Sequence, residues 1–173
     1  EEATERIKKR MEVNDAEAIY EIAACYFYGD PGYPRDEERA IELWHRAGEL
    51  GCADAYYNIG RAYYFGEGVE RDEKKADHYY ELAAMGGIAI ARHNIGCSEG
   101  ESGNWDRAIK HYMIAAGAGY NNSVKNIQHL YKHGHATKDD YTKALLAYQK
   151  CIDEIRSEQR DQAAAFNEDY KYY

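Results

Sequence analysis

Between residues 53 and 65 the apolar or small side chains fall at 55, 56, 59, 60, 62 and 63, one face of a helix with 3.6 residues per turn. Gly66 and Gly68 then interrupt the pattern, glycine being costly inside a helix and cheap at its end. Asp72 offers a short side-chain oxygen to the free N–H groups of a second helix. Ala76, Tyr79, Tyr80, Ala83 and Ala84 form the inner face of that helix, and Gly86-Gly87 end it. The unit is helix, glycine-rich turn, helix, glycine stop. Two short helices packed back to back leave one side bare, so the unit needs neighbours of its own kind.

The neighbours are present. Ile22-Ala23, Ile59-Gly60, Ile95-Gly96 and Ile127-Gln128 share one column of the first helix, and Tyr26, Tyr63, Glu99 and Tyr131 share another. In the second helix Ala40, Ala76, Ala108 and Ala144 align, followed by Trp44, Tyr80, Tyr112 and Tyr148, then by Ala47, Ala83, Ala115 and Cys151. Closing glycines stand at Gly51, Gly87 and Gly119. The repeats predicted are 16–51, 52–87, 88–119 and 120–156. A short polar helix over residues 3–13, with Ile7 and Met11 on one side, suits a cap over residues 1–15. A C-terminal cap and tail take 157–173. The second helix of the fourth repeat starts near Lys138, with Tyr141, Leu145, Tyr148, Ile152 and Ile155 on a face, and either passes Ser157 or breaks there. The tail after it reads as a short capping helix. The reading is one all-α domain.

The pattern resembles the SEL-like repeat family, related to the tetratricopeptide repeat. The second copy carries the match: Ala55, Ile59-Gly60, Tyr63, Gly66-x-Gly68-Val69, Asp72, Lys75-Ala76, Tyr79-Tyr80, Ala83-Ala84 and Gly87. The first copy departs at its turn, which holds Pro31 and Pro34; the third has Glu99 where the family prefers an aromatic, and the fourth Gln128 where it prefers Gly. The resemblance implies a right-handed α-solenoid of antiparallel helix pairs that binds other proteins as a scaffold or adaptor. It also implies that the first helices line the concave side.

On that implication the open face carries Glu17, Tyr20, Ala24 and Phe27; Asp54, Tyr57, Arg61 and Tyr64; Ile90, His93, Cys97 and Gly100; Asn122, Lys125, His129 and Lys132. Aromatic residues and Arg are enriched at interface hot spots because each brings large area for little entropy loss. The partner-binding residues expected are therefore Tyr20, Tyr57, Arg61, Tyr64, Ile90, His93, Lys125 and His129. Lys125, His129, Lys132 and His133 make the C-terminal part locally basic, where an acidic peptide end or a carboxylate fits. Ile90 is an apolar side chain where water is expected, and with Ile88 it makes Ile-Ala-Ile-Ala, with no helix-face reason for both. A second reading is self-association into a symmetric homo-oligomer through exposed Tyr and Ile residues, and an engineered apolar interface fits Ile88 and Ile90 too.

Composition narrows the function classes. A net charge of −9 without a Lys/Arg stripe argues against nucleic acid and against anionic membrane surfaces. No apolar run approaches a membrane span, and the N-terminal segment does not read as a signal peptide. Tyrosine is abundant, 18 against 3 Phe and 3 Met, more than the repeat columns absorb. Cys25, Cys52, Cys97 and Cys151 form no CxxC pair and read as free thiols in a reducing compartment, the cytoplasm. His129 and His133 stand four apart, but no third ligand is apparent and Leu130 occupies the position of a catalytic glutamate, so no metal is expected. His93 and Cys97 share a helix face without an orienting acid or oxyanion hole. The glycine-rich turns join helices and lack a following GK[ST]. The chain reads as non-enzymatic and without a cofactor.

Overall fold

The computed structural model describes residues 13–169, and these are helical with turns between; no strand occurs among them. The helices are α1 (Ala16–Tyr28), α2 (Glu37–Glu49), α3 (Ala53–Phe65), α4 (Glu73–Met85), α5 (Ala89–Glu101), α6 (Trp105–Gly117), α7 (Asn121–Lys132) and α8 (Lys138–Asp169). The cap helix expected over residues 3–13, all but its last residue, lies outside the described residues. The chain divides into two compact units, residues 1–95 and 96–173.

In the first unit α1 pairs with α2, α2 with α3, and α3 with α4. A polar side chain fixes the start of α1, α2 and α4, whereas α3 follows Cys52 without a side-chain cap bond. Asp15 accepts from the backbone N–H groups of Glu17 and Ala18, both at 3.1 Å, while Asp36 caps Arg39 and Asp72 caps Lys75, each at 3.0 Å. The α3–α4 turn also abuts α2. A methyl built on Gly68, which has φ of +70°, would lie 2.6 Å from Glu37 Cβ, so the Gly-x-Gly-Val element serves the turn and the contact together. The core between these helices is Ile19, Ala23, Phe27, Ala40, Ile41, Trp44, Ala47, Ala55, Ile59 and Ala62.

Phe27 corrects an expectation. It was placed on the open face, yet it is 7% exposed and its ring lies 5.0 Å from that of Trp44. A ring with no polar tip gains by lying against the indole, whereas Tyr64 in the same column keeps its hydroxyl-bearing ring half-exposed. Gly100, in that column too, is buried beside Trp105. The prolines stop α1 as expected, and their turn folds Tyr33 onto Tyr26 with ring centroids 5.1 Å apart.

In the second unit α6, α7 and α8 pack mutually around Ala108, Ile109, Tyr112, Ala116, Val124, Ile127, Leu130 and Ala144. In the third repeat Glu99 stands where Tyr26 and Tyr63 stand in the first two. Its carboxylate reaches Arg107 at 2.6 Å and accepts from Asn104 Nδ2 at 2.9 Å. Asn104 is thereby drawn away from capping α6, which it precedes without a side-chain cap bond. At the far end α8 runs unbroken through Ser157 to Asp169, where a separate capping helix was expected. No Gly or Pro interrupts residues 138–169, and nothing else in that run stops a helix. Among the described residues no helix is long and apolar enough to cross a membrane.

Candidate functional site

Within the first unit the structure brings several of the expected residues onto one surface of α1 and α3. Tyr20, Tyr57, Arg61 and Tyr64 are all half-buried rather than sealed between layers. Asn58 Nδ2 donates to the Tyr20 hydroxyl at 3.4 Å, so α3 is tied to α1 along this surface. Burial works against the charge of Arg61, but the Tyr28 hydroxyl, Tyr57 and Glu67 outweigh it, and its pKa is raised overall. Arg61 therefore remains a cation. Its guanidinium carbon stands 5.8 Å from the centre of the Phe65 ring, and Arg71 stands 5.7 Å from that of Tyr64. Tyr28 and Phe65, at equivalent ends of α1 and α3, are 64% and 59% exposed.

Tyr80 closes the base of this surface. Its ring lies against Gly60, where an added methyl would meet it at 2.6 Å, and 6.0 Å from the ring of Tyr57. Burial pushes the Tyr80 hydroxyl well above its ordinary pKa, with Tyr57 adding to the rise and a hydrogen bond with Asn94 opposing it. Ile90 and His93 of α5 are half-buried, and desolvation lowers the His93 pKa. Neither Ile88 nor Ile90 is exposed: Ile88 packs partly against the Ala76, Tyr80 and Ala83 cluster, which supplies the structural reason its sequence lacked.

The second unit holds the other two expected residues, Lys125 and His129, both exposed on α7. The His129 and His133 rings lie 4.2 Å apart, and His133 Nδ1 is 2.8 Å from the His129 carbonyl. That contact commits one ring nitrogen of the pair to the helix backbone. Among the described residues no group of three or more His, Cys, Asp or Glu is placed to hold a metal ion. Cys97 is no activated thiol. Tyr112 donates to its Sγ at 3.4 Å, Asn126 Nδ2 lies at 3.8 Å, and burial pushes its pKa up rather than down.

Two features escaped the sequence reading. One is an asparagine column, Asn58, Asn94 and Asn126, each one residue before the repeat isoleucine; Asn58 and Asn126 each hydrogen-bond a side chain of the preceding repeat, and Asn94 holds down the pKa of Tyr80 in the repeat before it. The signal was present as Asn-Ile-Gly, Asn-Ile-Gly and Asn-Ile-Gln. The other is the exposed pair Tyr28 and Phe65, aligned in sequence but lying outside the positions chosen for the open face.

The Sel1 repeat family model matches residues 16–52 and 53–88, with the boundary where the first Gly-Cys stop ends. Residues 16–88 are two Sel1 repeats. A Sel1 repeat protein from Oxalobacter formigenes has a similar structure, with a TM-score of 0.74 and 28% identity over 91% of this chain and 64% of its own. A protective antigen of uropathogenic Escherichia coli strains displaying an SLR fold gives a TM-score of 0.75 and 29% identity over 87% of this chain and 33% of its own. The fold class is thus the all-α Sel1 solenoid. Among curated proteins, the cytochrome c oxidase assembly factor 7A of Xenopus laevis is 31% identical over 43% of this chain. The ERAD-associated E3 ubiquitin-protein ligase component HRD3B of Arabidopsis thaliana is 43% identical over 38% of it. The matched stretches span 32% and 11% of those relatives. The Sel1 columns hold the residues just described: Gly60 receives Tyr80, and Asp72 caps α4.

Proposed function

We propose that this chain is a non-enzymatic interaction scaffold whose Sel1 repeats hold a peptide or a protein surface on the α1–α3 wall. The observation that carries this reading is the half-buried set Tyr20, Tyr57, Arg61 and Tyr64, continued by the exposed rings of Tyr28 and Phe65. Rings held in place by neighbours lose little entropy when a partner covers them, so their area converts efficiently into affinity. Two curated relatives that match part of this chain support the same reading. One is named as an assembly factor and the other as an E3 ubiquitin-protein ligase component. Ile90 and His93 extend this candidate surface on α5, and Lys125 and His129 are a separate candidate on α7.

A random-peptide display library selected on the immobilised protein tests it. Peptides enriched on the wild type should be lost on a Tyr57→Ser, Tyr64→Ser variant that still melts cooperatively. Peptides that bind wild type and variant alike would overturn the assignment of the wall.

A further inference from the structure

Among the described arginines of this acidic chain, Arg39 lies over the Tyr26 ring, Arg46 bonds the Asn14 side chain and Arg92 donates to the Ala84 carbonyl. Arg35, Arg71 and Arg107 each meet a carboxylate, of Glu37, Glu73 and Glu99 respectively. Among the described residues no carboxylate lies within ion-pair distance of Arg61. Its charge is faced by the Tyr28 hydroxyl and the Phe65 ring, with Glu67 acting from farther away. In the same repeat column Ala24 and Cys97 carry no charge, and the Cys97 sulfur is already engaged by Tyr112 and Asn126. A half-buried cation in a molecule of net charge −9, left without an acid of its own, complements an acid brought by something else.

We propose that Arg61 receives the side-chain carboxylate of an Asp or Glu in a partner peptide, while Tyr28 and Phe65 take an apolar side chain next to it. The inference rests on the reading of the α1–α3 wall as a peptide-binding surface. The wall continues on both sides of Arg61, towards Tyr57 and Asn58 one turn earlier and towards Phe65 one turn later. That continuity selects an internal acidic residue over a chain end. A planar guanidinium has donors for a carboxylate, and the flanking rings exclude water from the pair.

The probe is the same kind of display library, selected in parallel on the wild type, on Arg61→Gln and on Arg61→Lys. Wild-type pools should enrich Asp or Glu beside Leu, Phe or Tyr. Resynthesised peptides should lose affinity about tenfold or more on R61Q, the size of one charge-assisted hydrogen bond. Changing the peptide's acid to its amide should cost the same, and combining both changes should cost no more than either alone. R61K should retain part of the affinity. Enrichment without acids, or equal affinity for acid and amide, overturns the proposal. Binding that survives R61Q but fails on the Tyr57/Tyr64 variant overturns it and leaves the wall intact, whereas binding indifferent to every variant removes both. If R61Q fails to fold, a salt series on the wild type decides: the acidic peptide must weaken with salt more than its amide twin, and equal weakening overturns the proposal.

Discussion

Tyr80 occupies the space a side chain on residue 60 would need, and Tyr112 does the same at residue 96. The glycine of Ile-Gly is therefore a seat for the second helix's ring. Gly60→Ala and Gly96→Ala should each lower stability by about 1–3 kcal/mol, the usual cost of overpacking, measured by urea unfolding. Gln128 fills the equivalent place in the fourth repeat and donates from Nε2 to the Tyr141 hydroxyl at 3.2 Å instead. Two histidines give the protein a sensitivity to acid. His45, at 5.3 Å from Tyr79, and His93 are both lowered from 6.5, first by burial; for His45, Glu49 partly offsets the shift. A depressed pKa means the unfolded chain takes the proton first. Their contribution is thus full above pH 6.5 and is lost as the pH falls through the folded values. A series of melting temperatures against pH should show this decline, and His45→Gln with His93→Gln should flatten it.

At the level of the element, a helix pair is set by its turn and by the first residues of its second helix. Asp72→Ala removes the 3.0 Å bond to the Lys75 N–H and should cost about 1 kcal/mol in urea unfolding, while Asn104→Ala removes no cap bond and tests the Glu99 contact alone. A second device recurs one turn into that helix. Arg39 lies 4.5 Å over the Tyr26 ring and Lys75 lies 5.1 Å over Tyr63; in the third repeat Arg107 meets Glu99 as an ion pair. The departure from the aromatic column is thus a change of partner for a retained cation: ring face in two repeats, carboxylate in the third. The four helix pairs and their approximate limits were legible in the sequence because periodicity, Asp caps and glycine stops are local signals. The unbroken course of α8 was less so, since Ser157 is neither a strong breaker nor a strong former of helix.

Across the whole molecule the dominant quantity is the net charge of −9. Self-repulsion of that size opposes the compact state, so raising the salt concentration from a low value to a physiological one should raise the melting temperature. A melting temperature that stays flat or falls with salt would show that local ion pairs outweigh it. The amino-acid pattern by itself determined the helices, their pairing, the repeat columns and the Sel1 character of residues 16–88, because each follows from positions close along the chain. It also pointed to Tyr57, Arg61 and Tyr64. Only the tertiary structure decided which members of a column face outward. Phe27 and Tyr64 hold the same position, yet one is buried on Trp44 and the other half-exposed, and Ile88 found its cover in the Ala76–Tyr80 cluster. It alone showed the Arg61 guanidinium 5.8 Å from the centre of the Phe65 ring. Periodicity assigns a side chain to a face; what that face meets depends on the size and polarity of residues far away in sequence.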